Sequence, residues 1–327
     1  MKDKLLSMLK NNAGVFVSGE ELSRKLNVTR TAVWKHIRSL REKGYEIESS
    51  PGRGYKLVAV PDLLLPAEIQ DGLVTAVLGK RIYHFAEVDS TNRVARQLAQ
   101  NGEPEGSVVL AEVQAGGRGR LGREWISPAG GIWLSLLLRP NLAPFQAQLL
   151  TLAAAVAAVE ATEEACGIRP GIKWPNDLLL GERKLAGILT EVSAEMERVN
   201  FLVLGIGVNA NIRAVSFPGE VGKTAVSLLE ELGSPVDRAA WVKKFIVYME
   251  MYYLEALSAG FGRVLELWRR YSVTLEREVS VHTAGRTVTG TAVDIDDSGA
   301  LLVRTAMGEE KFLAGEVTLR PAKAGGE

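Results

Sequence analysis

Val108-Val109-Leu110-Ala111-Glu112-Val113 runs directly into Gln114-Ala115-Gly116-Gly117-Arg118-Gly119-Arg120-Leu121-Gly122-Arg123. The first stretch has the composition of a buried strand, and the second holds four glycines and three arginines. Without Cβ atoms, backbone N–H groups can converge on a ligand, and guanidinium forks bind phosphate or carboxylate bidentately while staying charged. The pair therefore predicts an anion site carried on a sheet, against the plainer reading of a solvated basic loop.

Two phosphate-binding motifs are present in form only. Gly117, Gly119 and Gly122 spell G-x-G-x-x-G, but the dinucleotide fingerprint needs its third glycine to open a helix, and Glu124-Trp125-Ile126-Ser127-Pro128 does not start one. Gly222-Lys223-Thr224 precedes a helical run over 225–232, yet a P-loop needs a glycine where Phe217 stands. Any phosphate is thus held by another architecture.

The 327 residues, 46% hydrophobic and 24% charged, suit a globular chain of two or three domains. No leader-like segment opens the sequence, and the longest apolar run, 149–159, is shorter than the roughly 20 residues of a membrane span. A cytoplasmic protein with no membrane partner is expected. A lone Cys166 excludes an intramolecular disulfide and reads as packing, and His36, His84 and His282 lack ligand or triad spacing. No dedicated metal site is expected.

The net charge of zero hides an asymmetry. Residues 1–58 carry 12 of the 39 Lys and Arg but 6 of the 39 Asp and Glu, leaving 27 against 33 for the rest. Clustered positive charge on a small module is the footprint of nucleic-acid binding. Ser18-Gly19-Glu20-Glu21 forms a capping box, Asn27-Val28 a turn, and Thr29 caps a second helix with Val33, Ile37 and Leu40 at helical spacing. This is helix-turn-helix grammar, preceded by a helix over 4–9. Arg30, Thr31, Lys35 and Arg38 form its polar stripe, placed to meet a major groove, whereas Trp34 is ambiguous, read as partly packed in the core in preference to a DNA contact. The hairpin over 45–57, turning at Pro51-Gly52, makes a wing that brings Arg53 and Lys56 toward a phosphate backbone. Residues 61–66 look like a linker.

From Ile82 onward apolar runs alternate with helical ones, predicting an α/β domain with a mixed sheet. Asp89-Ser90-Thr91-Asn92 suits a helix start and equally a polar ligand head. Residues 132–138 read as a buried strand and 145–166 as a long alanine-rich helix. Lys173-Trp174-Pro175-Asn176-Asp177 presents its side chains on an irregular turn, and Lys184 starts a strand with small neighbours, as a pocket or a surface lysine. Gly205-Ile206-Gly207-Val208-Asn209 again allows close backbone approach. Amphipathic helices over 241–253 and 264–271 complete the domain. Beyond 275, short strands over 278–282, 287–295, 301–304 and 310–313 predict a small barrel.

In order and spacing, these segments together resemble the bifunctional biotin-[acetyl-CoA-carboxylase] ligase and biotin operon repressor family across essentially the whole chain. The resemblance implies a multidomain α/β (α+β) protein. Its parts are a winged helix-turn-helix at 1–60 (helix-turn-helix about 19–38, wing about 45–57), a linker and domain start at 61–80, a biotin/lipoate-ligase-like catalytic domain at 81–273, an SH3-like domain at 274–321 and a tail at 322–327. It implies that ATP and biotin, with Mg²⁺, form biotinyl-5′-AMP, from which biotin passes to one lysine of a biotin carboxyl carrier protein. Ser90, Thr91, Asn92, Gln114, Arg118, Gly119, Arg120, Lys184 and Gly187 would then serve biotin. Gly117, Arg118, Arg120, Arg123, Trp125, Lys173, Asn176, Asp177 and Asn209 would serve ATP and the adenylate, with Lys184 and Arg120 as the catalytic pair. Leu121 stands where some relatives carry another arginine. Operator DNA and a homodimer formed with adenylate as corepressor complete the implied partners. A ligand-sensing transcription factor without ligase activity leaves Lys184 and the arginines unexplained, and a lipoate-type ligase leaves the N-terminal module unexplained.

Overall fold

The computed structural model describes residues 1–195, 198–283 and 285–319, and the chain divides into two compact units, Met1–Leu63 and Leu64–Glu327. The tail assigned to 322–327 lies outside the described residues.

In the first unit, α1 (Lys2–Lys10), α2 (Gly19–Leu26) and α3 (Arg30–Arg41) precede an antiparallel hairpin of β1 (Glu46–Ser50) and β2 (Gly54–Ala59). Ser18 Oγ accepts the Glu21 N–H at 3.0 Å, and Thr29 Oγ1 accepts that of Ala32 at 3.2 Å, so each helix of the pair starts on its expected cap. Between them Asn27 takes the left-handed conformation, φ 53°, that ends α2 and turns the chain. Leu5, Leu9, Leu22, Val33, Ile37 and Leu40 form the buried centre. Trp34 does not join them: it stands 50% exposed with the Arg38 guanidinium 6.0 Å from its ring centre, correcting the expectation of core packing.

In the second unit, Leu64 and Leu65, inside the stretch read as linker, are already core residues, because the apolar face of α4 (Pro66–Gln70) docks there. A seven-stranded mixed sheet follows. Its strands are β3 (Ile82–Val88), β4 (Val108–Gln114), β5 (Ile132–Leu138), β6 (Gly171–Lys173), β7 (Asp177–Leu180), β8 (Arg183–Glu195) and β9 (Arg198–Val208), in the order β3-β4-β5-β9-β8-β7-β6. Among the described strands of this sheet, only β3 and β4 pair with each other in parallel, joined through α5 (Thr91–Gln100).

Strand alternation sorts the core onto two faces. Leu134, Leu136 and Leu138 of β5 pack with the alanine-rich α6 (Ala147–Cys166), while Leu137 with Val109 and Val203 packs under Ala95 and Ala99 of α5. The Pro144–Cys166 segment is long and apolar enough to cross a membrane but is mostly buried as the core helix of this sheet. The helix read over 225–232 is instead two short ones, α7 (Val221–Thr224) and α8 (Leu228–Leu232), because Ala225 is extended and Ser227 restarts the helix with a capping box to Glu230. Two further helices, α9 (Arg238–Ala259) and α10 (Gly262–Tyr271), cover the α6 side. Glu250 of α9, buried, accepts the N–H groups of Ala76, Val77 and Leu78 at 2.6 to 2.7 Å, satisfying a turn that has no strand partner.

The small barrel expected at the C-terminal end is a five-stranded antiparallel sheet, β10 (Glu278–Thr283), β11 (Arg286–Ile295), β12 (Leu301–Thr305), β13 (Gly308–Phe312) and β14 (Glu316–Leu319), in the order β13-β12-β11-β10-β14. Strand β14 was not anticipated. It is four residues long, too short to show alternation, and pairs with β10 through long-range register. Trp174 ties this sheet to the larger one, its indole N–H donating to Gly299 O at 3.1 Å and its backbone N–H to Thr274 Oγ1 at 2.9 Å. At 2% exposure it is a core residue rather than one presented on a turn.

Candidate active site

Strands β8 and β9 cross the centre of the sheet with Gly187 and Gly207 as register partners. The missing side chains leave a shallow bed, and the Trp125 indole lies in it: a Cβ on Gly207 would sit 2.5 Å from Trp125 Nε1, and one on Gly187 3.0 Å from Trp125 Cζ3. Lys184 Nζ stands 4.9 Å from the ring centre and 2.7 Å from Asp177 Oδ1. The lysine that sequence alone left between pocket and surface is therefore a pocket residue. Gly207→Ala is expected to expel the indole from its bed, since an added methyl carbon would stand 2.5 Å from Trp125 Nε1 in a packed wall. A crystal structure of the variant would check it, and an indole still lying on the two strands would contradict it.

Above β4 and β5 the wall is polar. Gln114 Oε1 accepts from Thr91 N–H at 2.8 Å and from Thr91 Oγ1 at 3.0 Å, while its Nε2 donates to Ser127 Oγ at 2.9 Å. Ser135 Oγ lies 2.6 Å from Asn92 Oδ1, and Asn92 Nδ2 donates to Glu191 Oε2 at 2.8 Å. Ser90 makes no side-chain cap to α5, and Thr91 and Asn92 of the run serve this network. Gly205 must be glycine here, because a Cβ would collide with Asn92 Oδ1.

These walls enclose a cavity of about 480 Å³, large enough for a nucleotide-sized ligand. Arg118, Arg120, Arg123, Lys173 and Lys184 face it against Glu124, Asp177 and Glu316, leaving a positive excess for an anion. Burial, together with Lys184 nearby and against the pull of Asp177, lowers the Lys173 ammonium below its usual value, and burial does the same to Arg120. Arg120 Nη1 donates to Asn176 Oδ1 at 3.1 Å, and Asn176 Nδ2 to Ile188 O at 2.8 Å, so the arginine is aimed by a side chain itself anchored on β8. Leu121 holds the left-handed φ of 57° while 79% exposed, a conformation that costs a non-glycine residue about 1–2 kcal/mol. Trp125 Nε1 and Asn209 Oδ1 are buried without hydrogen-bond partners, the condition of groups awaiting a polar ligand.

Comparison with known proteins agrees with this geometry. The biotin/lipoate A/B protein ligase family matches residues 84–209, an HTH domain 2–56, and the biotin protein ligase C terminal domain 274–320. The bifunctional ligase/repressor BirA of Bacillus subtilis is 39% identical over 98% of both chains. The chain belongs to the BirA family. The Escherichia coli bifunctional ligase/repressor BirA is 33% identical over 98% of this chain and 97% of its own. A biotin protein ligase from Aquifex aeolicus, solved in complex with biotin and ATP, superposes with a TM-score of 0.65 at 31% identity, covering 74% of this chain and 100% of that one.

In this BirA-family chain, Ser90, Thr91, Asn92, Gln114, Arg118, Gly119, Arg120, Arg123, Trp125, Lys173, Asn176, Asp177, Lys184, Gly187 and Asn209 all line the one cavity. Gly117 does not. It is buried under the loop, where a Cβ would meet Trp125 O and Ser127 Oγ, so its glycine is demanded by packing rather than by a nucleotide. Asn209 also braces the strand start, donating from Nδ2 to Lys184 O at 3.3 Å and Val226 O at 3.1 Å.

Sequence reasoning passed over Glu316, Val317 and Thr318 of β14, which close one side of the cavity, with Glu316 paired to Arg123. It also passed over Thr224 in the rejected P-loop look-alike; Lys223 there pairs with Glu220 at 2.7 Å and is exposed. Apart from the cavity, Arg30, Thr31, Lys35 and Arg38 are exposed on α3, and Arg53 and Lys56 flank the Phe16 ring at 4.2 and 4.9 Å.

Proposed function

We propose that the chain makes biotinyl-5′-AMP from biotin and ATP, transfers the biotin to a lysine of a biotin carboxyl carrier protein, and represses biotin genes with the adenylate as corepressor. The observation that carries the ligase reading is the Lys184–Asp177–Trp125 cluster on the Gly187 and Gly207 bed, with Arg120 aimed beside it. In the first step a biotin carboxylate oxygen attacks the α-phosphorus of ATP, the bond to the β-phosphate oxygen breaks, and pyrophosphate leaves. Two anions must meet, so Lys184 and Arg120 offset their repulsion and hold them in line. In the second step the carrier lysine, as a free amine, attacks the acyl carbon and AMP leaves. Neither step needs a protein nucleophile.

Mg²⁺ would travel with ATP. The described residues contain no cluster of three or more His, Cys, Asp or Glu able to hold a metal, and Asp177 is the carboxylate best placed to meet a phosphate-bound ion. The polar network of Thr91, Asn92 and Gln114 suits the ureido ring of biotin, and the orphaned Trp125 Nε1 and Asn209 Oδ1 suit the nucleotide. On this reading the enzyme works in the cytoplasm, where the carrier and ATP reside. Adenylate binding orders 116–124 and favours a homodimer that presents two copies of α3 to an operator.

Incubation with biotin, ATP, Mg²⁺ and a carrier domain, followed by intact-mass measurement, tests the ligase reading. A mass increase equal to one biotin amide is expected, and none at saturating substrates would overturn it. DNA affinity indifferent to biotin and ATP would overturn the corepressor role.

A further inference from the structure

Helix α3 turns Val33, Ile37 and Leu40 into its unit and leaves Arg30, Thr31, Trp34, Lys35 and Arg38 exposed along its first three turns. Three of those five are cations, and Arg30 and Arg38 form surface pairs with Glu20 and Glu42, at 2.8 and 3.0 Å. Exposed pairs of this kind contribute little, so both guanidinium groups can be given up to phosphates. Phosphate contacts position a protein but carry no sequence information. The side chain that is out of character on this face is Trp34, half exposed and steadied by the Arg38 guanidinium 6.0 Å from its ring centre.

We infer that Trp34 is a base-reading residue that selects thymine in each half-site. The indole offers an apolar edge and a single donor, Nε1–H, and no acceptor. In the major groove thymine displays the one apolar group, the C5 methyl, beside the O4 acceptor, which is the complement of that pair. Cytosine places only an amino donor in the groove, which the indole cannot accept, and adenine and guanine offer acceptors but no methyl. The inference deepens the repressor reading and rests on α3 being the groove element.

The test uses the full chain with biotin, ATP and Mg²⁺. Duplexes selected from a random pool by the unmodified protein are expected to share a thymine at one position in each half-site. Replacing that thymine by uracil, which removes only the methyl, is expected to weaken binding about fourfold per half-site, the worth of one buried methylene-sized group. Trp34→Ala should lose both the preference for thymine and the sensitivity to uracil, with an unchanged salt slope, since no phosphate contact is removed. Trp34→Leu should keep the methyl sensitivity. Its half-exposed position means neither substitution threatens the fold, and circular dichroism checks this. Arg30→Ala and Lys35→Ala separate the two levels. If they weaken binding while Trp34→Ala still discriminates thymine from uracil, the role of Trp34 is overturned. If neither weakens binding, or the unmodified chain binds no duplex, the reading of α3 as the groove helix falls with it.

Discussion

Lys184→Ala is expected to lower the rate of biotinyl-5′-AMP formation by about a hundredfold to a thousandfold, the range seen when one preorganised charge is removed from a developing anion. The substitution removes the ammonium 2.7 Å from Asp177 Oδ1 and leaves that carboxylate facing the incoming phosphates. The loss is therefore one of cancelled attraction and uncovered repulsion together. Lys184 is about a third exposed, so the fold should survive, and rapid-quench detection of adenylate measures the chemistry directly. Arg120→Gly, which removes the guanidinium bound to Asn176 Oδ1, should weaken both synthesis and retention of the adenylate, because on the proposed reading Arg120 both offsets the charge of the reacting anions and belongs to the loop that orders over the product. Wild-type synthesis and release by both variants would sink the roles assigned to the pair.

The second large effect is on stability. Glu112 on β4 accepts from Arg238 Nη2 at 2.9 Å, from Leu64 N–H at 2.8 Å, and sits 2.8 Å from His84 Nε2, while Arg238 is 2% exposed. Glu112→Ala strips a buried guanidinium of its carboxylate, a change that typically costs about 3–5 kcal/mol. The urea midpoint of the second unit reports it. Burial pushes the Glu112 carboxyl up, but the His84 hydrogen bond, the Arg238 charge and the Leu64 N–H outweigh burial and leave it below its ordinary value of 4.5. A carboxyl depressed in the folded state stabilises fully above its unfolded pKa, and that contribution is lost as pH falls through the folded one. The stability gap between wild type and Glu112→Gln should accordingly hold at neutral pH and narrow once the pH drops below about 4.5. A gap that widens in acid would contradict the sign.

How far the site was legible differs from residue to residue. The Gly116 to Arg123 loop and the Lys173 to Asp177 turn announce themselves by residue type, Lys184 gains its pocket role only from the family resemblance, and the structure gathers Arg118, Arg120, Arg123, Lys173, Asp177 and Lys184 into one cavity. Trp174 and Trp34 were read the wrong way round, one presented and one packed. Both stand beside residues of mixed polarity, and a tryptophan at such a position follows whatever surface a distant segment brings to it. For Trp174 that segment is the Thr274 and Gly299 region; for Trp34 no such cover exists among the described residues of its unit. Glu316 escaped notice because a lone glutamate in a four-residue strand has no local signature, yet it meets Arg123 across 193 positions of chain.

Periodicity, caps and turn residues are properties of neighbours in the chain. They settled the helix-turn-helix, the buried strands, the alanine-rich core helix and the place of the glycine- and arginine-rich loop at the end of a strand. Whether Gly187 faces Gly207, whether Lys184 reaches Asp177 and Trp125, and whether β14 closes the cavity depended on sheet register and on packing between remote segments. Those are decided by the joint burial of apolar faces, where a shift of one residue turns every side chain to the opposite face.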